Sequence, residues 1–446
     1  MRTTRLRRTL GRLGLGFPLA TALSGCELNS SIQIGDKEYE TGDADGDTDA
    51  VGDTDADSDS DTDTDTGDAP DVVEPIPDFV VDCMGGADFD TIQDAIDAAV
   101  SPADIALQPC TYHERIDYIG KDINIYGIEG SGRTIIDGDE GGTVVDVEVR
   151  EAGHTRLAGV TLTGGLDESG GAAIEVADSS LELEDIVIEG NRGLNMVQAS
   201  IGNVDMIDVV VSGNDFVDGG SAIYQDGGNL NVSYAVVDCD DGAQAIWHHV
   251  QLVLADSEVN CDAGYGVHDY HGEDYILRSR LYGGISAYYA YDNESTEEEP
   301  DSPNERWYAE SSVFGGGSIG ADIRYMTLAV SNSVFYGADS ALSMTGCDPS
   351  SAATSSVFAD SLCGVTGDQN SAITYSAFWG NGADGCGLTV RPAVSDDPEF
   401  ASWPVDLHLD PGSPLVDAGN PDGAYDDVDG SRNDIGVYGG QLPSGL

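Results

Sequence analysis

Histidine and aspartate side chains that could do acid–base or metal chemistry are concentrated in one stretch of the chain. Four of the seven histidines lie between positions 248 and 271, and two aspartates are close to them. An aspartate acting as acid or base with an assisting histidine would be a catalytic site, and imidazole with carboxylate would be a metal site. The alternative is an ordinary polar surface. The catalytic candidates are Asp269, Asp274, His268 and His271, and the metal candidates are His249, His268 and Asp269.

Aromatic residues recur in the same stretch at intervals of about two dozen residues. When the chain is aligned on Ile223, Ile246 and Val267, the next residue is aromatic or histidine each time. Aromatic faces flanked by acids suit sugar rings, whereas the alternative is that the rings only stack on one another to stabilise the fold. The predicted ligand-binding residues are Tyr224, Trp247, His249, His268, Tyr270 and Tyr288.

The net charge excludes several classes of partner. The 446 residues include 82 acidic and only 18 basic side chains, for a formal charge of −64. Nucleic acid and anionic lipid surfaces both require a basic patch, so neither is expected as a partner. A body this acidic also repels acidic polysaccharides, which favours a neutral polysaccharide or a cell-surface partner. Acid pairs are so abundant that their presence alone does not indicate glycosidase chemistry.

A second group of acids lies near the C-terminus. Carboxylate oxygens at this spacing could hold a structural calcium ion, the only cofactor that the sequence suggests. The alternative is that Asp and Asn fix the turns of a terminal cap. The candidate calcium ligands are Asp417, Asp427, Asp429 and Asp434.

The N-terminal residues indicate export and lipid attachment. Residues 1–25 join an arginine-rich start to an apolar run too short to span a bilayer, as in a signal peptide. The following Leu23-Ser24-Gly25-Cys26 resembles a bacterial lipobox, which implies lipidation at Cys26 and a location in the cell envelope, at the outer membrane or cell surface. The lipid would then be the only contact with the membrane.

An aspartate-rich linker is predicted for residues 26–70. Between Asp43 and Asp68, 12 of 26 residues are aspartate, and no apolar residue larger than alanine recurs. Such a segment cannot form a core and is expected to be disordered and extended by its own charge. It also resembles aspartate-rich calcium repeats, but it lacks the spacing of an EF-hand. The folded domain is therefore expected at 71–446.

The folded part repeats short apolar runs that end in Gly, Asn or Ser. Runs beginning at 160, 186 and 209 start a series of ten whose steps are 20 to 26 residues, with one step of 33. A period near 22 with turns and no helix predicts a solenoid of parallel strands. Propeller blades need longer repeats, and the leucine ladder of leucine-rich repeats is missing. The fold class is all-β, a right-handed parallel β-helix.

Two segments carry a family resemblance. The first is 89–99 with 109–114, and the second is 412–419 with 427–436. The chain resembles the pectin-lyase-like β-helix superfamily, and bacterial right-handed parallel β-helix repeat lipoproteins within it, over about residues 79–440. That superfamily includes lyases, hydrolases, esterases and proteins without catalytic activity, so the resemblance leaves open a polysaccharide lyase or glycoside hydrolase, a binding protein and a structural surface protein.

A short capping helix is predicted at the N-terminal end of the β-helix. Ile92, Ala95, Ile96 and Ala99 fall on one helical face, and Asp90 or Thr91 can cap the helix. Laid over the first coil, such a helix would protect strand edges that otherwise invite aggregation. A C-terminal cap is expected at the other end.

Seven cysteines beyond Cys26 suggest disulfides and an oxidising compartment. Cys83 and Cys110 flank the predicted helix and can bridge it. Cys239 and Cys261 occupy the same place in consecutive coils, within bridging range. The pairing among the remaining three, Cys347, Cys363 and Cys386, stays open.

Overall fold

The computed structural model describes residues 76–148, 155–239, 243–249, 251–270, 272–291, 306–367 and 372–441. All of them belong to one compact unit, Pro75–Leu446. The predicted signal peptide, Cys26, the aspartate-rich linker and His271 lie outside the described residues. Within these ranges, no helix combines the length and the apolar character needed to cross a membrane.

The described chain is a right-handed parallel β-helix of about 12 coils, as predicted. Each coil contributes strands to three sides, and each strand pairs in parallel with the equivalent strands of the coils before and after it. Sides 1 and 2 together form a 22-stranded sheet, and side 3 is a 12-stranded sheet.

The strands divide among the three sides as follows. Side 1 contains β1 (Phe79–Val81), β2 (Ala103–Leu107), β5 (Ile123–Gly127), β14 (Asn229–Ser233), β17 (Gln251–Ala255), β20 (Glu273–Leu277), β23 (Arg306–Glu310), β26 (Thr327–Ser331), β29 (Ala352–Thr354) and β32 (Ala372–Thr374). Side 2 contains β3 (Thr111–His113), β6 (Ile135–Asp137), β15 (Val236–Cys239), β18 (Glu258–Cys261), β21 (Arg280–Gly283), β24 (Val313–Gly316), β27 (Val334–Gly337), β30 (Val357–Ala359) and β33 (Ala377–Trp379). Three long strands run through both sides: β8 (Thr155–Thr163), β10 (Leu181–Ile188) and β12 (Val204–Val211). Side 3 contains β4 (Ile116–Asp117), β7 (Val145–Glu148), β9 (Leu166–Ala177), β11 (Arg192–Ala199), β13 (Asp215–Gln225), β16 (Gln244–His248), β19 (Tyr265–Asp269), β22 (Ser286–Tyr291), β25 (Ile319–Arg324), β28 (Ser340–Thr345), β31 (Cys363–Gly367) and β34 (Ala383–Cys386).

One backbone conformation makes the corner between sides 1 and 2 in ten successive coils. A single residue there has a φ between 46° and 63°, in the left-handed region, which turns the chain sharply. The spacing of these corners reproduces the period predicted from the sequence. The corner residues are Gly159, Asp185, Asp208, Tyr234, Asp256, Arg278, Ser311, Asn332, Ser355 and Tyr375.

Buried serines follow the corner in the later coils and link one coil to the next. Ser312 N–H donates to Ser333 Oγ at 3.3 Å, while Ser312 Oγ donates to the carbonyl of Glu310 at 2.9 Å. The same pair of bonds recurs at Ser257, Ser279, Ser333 and Ser356. This ladder satisfies backbone groups that the corner removes from the sheet, and it explains why serine begins each of the later repeats.

The core runs the length of the solenoid, and the type of side chain that fills it changes from the early to the late coils. Aliphatic side chains fill the early coils, and a stack of phenylalanines fills the late ones. Ring centroids of Phe314, Phe335, Phe358 and Phe378 are 4.8, 5.4 and 5.0 Å apart in order, with nearly parallel planes. The stack follows directly from the recurrence of phenylalanine at one position of the repeat.

The predicted capping helix is present as α1 (Ile92–Ala98). Ile92, Ala95 and Ile96 are fully buried, and Thr91 is the N-cap, with its Oγ1 accepting from the Asp94 amide. The Glu114 carboxylate accepts from two further amides of the first turn, at 2.8 and 3.0 Å. The helix thus covers the first coil with its orphan amides satisfied.

The C-terminal segment caps the last coils from the side. Leu407, Leu415 and Ile435 form a second core with outward valines of β24, β27 and β30. The segment contains one antiparallel hairpin, β35 (Phe400–Ser402) and β36 (Asp406–Leu409). Trp403 in this segment packs against Tyr336, with centroids 5.2 Å apart, and donates to Asp360 at 2.7 Å.

Three disulfides link neighbouring coils or flank the cap. The predicted pairs Cys83–Cys110 and Cys239–Cys261 are confirmed, and the pairing that the sequence left open is Cys363–Cys386. Cys347 is buried, with its Sγ 3.4 Å from the carbonyl oxygen of Ile323.

Candidate functional site

The predicted column of aromatic residues lies on the outer face of side 3. Strand register pairs Tyr224 with Trp247 and Trp247 with His268, as the sequence predicted. The next partner of His268 is Tyr289. The prediction of Tyr288 was wrong: Tyr288 pairs with Val267 and is fully buried. A slip of one residue moves a side chain to the opposite face of a strand.

Seven rings from four successive coils form a continuous surface, which we call the aromatic strip. Each member is half-buried and touches at least one other ring. The most nearly parallel contact is the stack of Tyr224 on Trp247, with centroids 4.3 Å apart and planes 5° apart. The aromatic strip comprises Tyr224, Trp247, His249, Tyr265, His268, Tyr270 and Tyr289.

Two members of the strip were missed by the sequence analysis. Tyr265 lies two residues before Val267, and its ring contacts both His268 and Tyr289, at 5.1 and 5.3 Å. Strict period-two alternation from His268 would have placed Tyr265 on the inner face with Val267, so alternation alone could not have found it. Tyr289 would have been predicted if the alignment of its coil with the preceding one had been shifted by one residue.

Polar neighbours hold the strip's imidazoles in fixed orientations. His268 Nδ1 donates to Gln244 Oε1, and burial lowers the pKa of His268 to about 4, with His248 and His249 adding to the effect. His268 is therefore neutral at pH 7. His249 Nδ1 lies 2.9 Å from Asp226 Oδ1.

The end of the strip carries a cation. The Arg324 guanidinium lies 5.3 Å from the ring centroid of Tyr289, and it also pairs with Asp322 at 2.7 Å. Burial raises the pKa of Tyr289 and of Tyr224, so both phenols stay protonated and available as hydrogen-bond donors. The strip can therefore offer ring surfaces and hydroxyl groups together.

The predicted catalytic aspartates are not on this surface. Asp269 and Asp274 are both fully buried inside the solenoid. Asp274 accepts from Tyr288 Oη and from the Leu252 amide, the latter at 3.0 Å, and burial raises the pKa of Asp274. A polysaccharide outside the protein cannot reach either carboxyl, so their assignment as acid or base for such a substrate was wrong.

The predicted metal set was also wrong. His249 and His268 face outward, whereas Asp269, the neighbour of His268, faces the interior. Adjacent residues of a strand point to opposite faces, so this trio cannot converge on one ion. The histidine that does approach Asp269 and Asp274 is His248, whose ring nitrogens lie 3.6 and 3.7 Å from them.

Three of the four C-terminal aspartates accept hydrogen bonds from backbone amides. Asp427 accepts from the amides of Asp434 and Gly440, and Asp434 accepts from the amide of Asp417 at 2.6 Å. Asp429 accepts from the Ser431 amide at 2.9 Å. Turn fixation accounts for these residues. In the described ranges, the groups of acids and histidines close enough to share an ion do not include them.

A separate acidic cleft of about 380 Å³ lies on the early coils. Asp137, Asp139 and Glu140 line it, and His113 Nδ1 lies 3.1 Å from Asp139 Oδ1 at its edge. The sequence analysis missed this cleft, although His113 and Asp137 are partners in the strand register. Its acidity makes it unsuited to anionic sugars.

Comparisons with known proteins return only distant structural likenesses. No protein-family model matches the chain, and no curated protein matches its sequence. PfbA, a surface adhesin of Streptococcus pneumoniae, is 11% identical, with a TM-score of 0.46 over 68% of this chain and 90% of that chain. Pectate lyase Pel9A is 11% identical, with a TM-score of 0.34 over 78% and 91%. A pectin methylesterase from Aspergillus niger is 15% identical, with a TM-score of 0.22 over 73% and 93%. What the chain has in common with them is the parallel β-helix fold that its own strand register shows.

Proposed function

We propose that this protein is a lipid-anchored cell-envelope protein that binds a neutral carbohydrate along the aromatic strip. The observation that carries the proposal is the continuity of the strip: seven half-buried rings from four coils face solvent together. Four coils spaced by ~4.8 Å give a length of about 14 Å, enough for a short run of sugar rings. Ring surfaces beside hydrogen-bonding groups are the usual lining of a sugar site.

Charge supports a neutral ligand. The chain carries a formal charge of −64, and the strip is bordered by Asp226 and Asp322. Arg324 is already paired with Asp322, so it offers little attraction to a polyuronate. Hydroxyl-rich, uncharged polysaccharides avoid this repulsion.

Stacking among the rings explains part of the strip but not all of it. The parallel Tyr224–Trp247 pair stabilises neighbouring coils in the same way as Tyr275 and Tyr308 on side 1, which are 4.9 Å and 7° apart. The difference is that Trp247 also contacts His249 and Tyr270, extending the aromatic surface sideways. That extension is what a ligand can use.

Replacing Trp247 with alanine should weaken glycan binding by about 2 kcal/mol, or roughly 30-fold, because it removes the central ring of the strip. The measurement is retention on an array of neutral and acidic glycans, followed by titration of the best ligand. Tyr308→Ala is the matched control, since it breaks an equivalent stack on another face. Equal affinity for both variants and the wild type would remove the strip as the binding site. A wild type that retains no glycan would contradict carbohydrate binding.

The proposed lipid anchor is inferred from the sequence of residues 1–26. Cys26→Ser should move the protein from the membrane fraction to the soluble fraction, because the thiol that receives the lipid is gone. The measurement is fractionation of the host cell with mass spectrometry of the N-terminal peptide. Glu27→Gln, next to the lipidation site, should leave fractionation unchanged. A Cys26→Ser protein that remains at the membrane would contradict the lipid anchor.

A further inference from the structure

The interior behind the aromatic strip contains a cluster of titratable side chains that surface binding does not use. His248, Asp269, Asp274 and Tyr288 are all fully buried. His248, Asp269 and Tyr288 come from three successive strands of side 3, and Asp274 reaches them from β20 on side 1. We call these four side chains the interior cluster.

Three of the four side chains of the interior cluster, those of His248, Asp269 and Asp274, are close enough to share one ion. His248 Nδ1 lies 3.6 Å from Asp269 Oδ1, and His248 Nε2 lies 3.7 Å from Asp274 Oδ2. One ligand atom from each of these three residues falls within 4.8 Å of the others. One ion takes only one nitrogen of the imidazole, so only one of these two contacts can belong to a coordination shell. Ligand atoms lie ~2.0–2.2 Å from a tetrahedral zinc ion, so the three side chains would draw together around it.

The carboxyl groups of Asp269 and Asp274 need to be neutralised where they lie. Two carboxyl groups lie together in an interior whose next neighbours include the rings of Trp307 and Phe314, 5.1 and 6.4 Å from the ring of Tyr288. Carboxylates in such surroundings must be neutralised by protons or by a cation. A divalent cation neutralises both at once.

A separate observation points to a bound species. Gln225 is fully buried, pairs with His248 in the strand register, and has no hydrogen-bond partner at Oε1. Its Nε2 donates to the carbonyls of Gly202 and Gly227, which leaves Oε1 as the open acceptor. A buried acceptor without a partner costs about 1–3 kcal/mol. An ion, or a water bound to one, would satisfy it.

We propose that His248, Asp269 and Asp274 hold a zinc ion inside the solenoid, one coil from the buried amide of Gln225. One imidazole and two carboxylates are ligands that zinc accepts, whereas calcium prefers six to eight oxygens. The ion would tie side 1 to side 3. His248 follows Trp247, and Asp269 follows His268, so the same ion would fix the backbone beneath the aromatic strip.

Metal analysis of the wild-type protein tests the proposal directly. The full chain, exported by its host and purified without chelator, should contain close to equimolar zinc. Chelation should lower its melting temperature, and added Zn²⁺ should restore it, while Ca²⁺ should not. Replacement by Co²⁺ should give a visible absorption band. Negligible zinc together with no response to Zn²⁺ or Co²⁺ would overturn the proposal, whatever the variants do.

Variants separate the interior from the surface. Asp269→Asn and Asp274→Asn keep the side-chain shape and should lower zinc affinity by about 100-fold or more. Loss of a residue that only hydrogen-bonds to a metal ligand already lowers affinity by about 10- to 100-fold, and loss of a ligand should cost at least as much. His249→Ala and Asp226→Asn, on the outside, should retain zinc. Zinc lost in His249→Ala but kept in Asp274→Asn would place the metal on the surface and overturn the proposal. Asparagine variants that melt at or above the wild-type temperature would overturn it too, because that result indicates carboxyls sharing a proton.

Discussion

Replacing Phe335 with alanine should destabilise the late coils by about 3–5 kcal/mol. Phe335 is fully buried in the middle of the phenylalanine stack, between Phe314 at 4.8 Å and Phe358 at 5.4 Å. Its removal takes apolar surface out of the core and leaves a cavity between two rings that the backbone ladder holds in place. Neighbouring coils cannot close this cavity, because their spacing is fixed by the hydrogen bonds of the sheet.

The loss should be local, since each coil of a solenoid contacts mainly its neighbours. Hydrogen exchange of amides in β24, β27 and β30 measures it as a lower free energy of opening, with the early coils unchanged. Phe335→Leu retains most of the volume and should cost less than about 1.5 kcal/mol. Equal effects of the two substitutions would show that the stack does not depend on ring packing.

The fold was predictable from the sequence because the residues that recur from repeat to repeat have a structural role in the coils where they occur. Serine at the start of each late repeat bonds the next coil, and phenylalanine two residues later fills the core. Left-handed corners occur at the predicted period, although only the first of the ten is glycine. Both confirmed disulfide predictions used the same reasoning about equivalent positions.

The candidate site was predictable only in part. Alternation within a strand correctly placed Tyr224, Trp247 and His268 outside, but it also implies that Asp269 points inside, a step that the catalytic hypothesis did not take. Tyr288 was misplaced because the length of the turn before β22 sets the register and does not show in the residue types. The meeting of Asp274 with His248 depends on the cross-section of the coil, which no local pattern encodes.

Replacing Asp256 with asparagine should destabilise the neighbouring coils by about 3 kcal/mol, because a buried guanidinium loses the carboxylate to which it donates. Asp256 and Arg278 occupy the same corner in consecutive coils, and Arg278 Nε and Nη2 donate to the two carboxylate oxygens at 2.7 and 2.6 Å. Their side chains are only 14% and 10% exposed, so water does little to replace the lost pairing.

A double-mutant cycle isolates this pair from the strain of the corner. Both residues have a positive φ, which asparagine tolerates better than alanine does, so Asp256→Asn and Arg278→Asn change the charges with little added backbone cost. The double variant should lose less stability than the sum of the single ones, because it leaves neither member of the Asp256–Arg278 pair without the other. The measurement is the opening free energy of β17 and β20 amides by hydrogen exchange. Additive losses, or a single loss below about 0.5 kcal/mol, would mean that the pair behaves as an exposed ion pair and does not fasten one coil to the next.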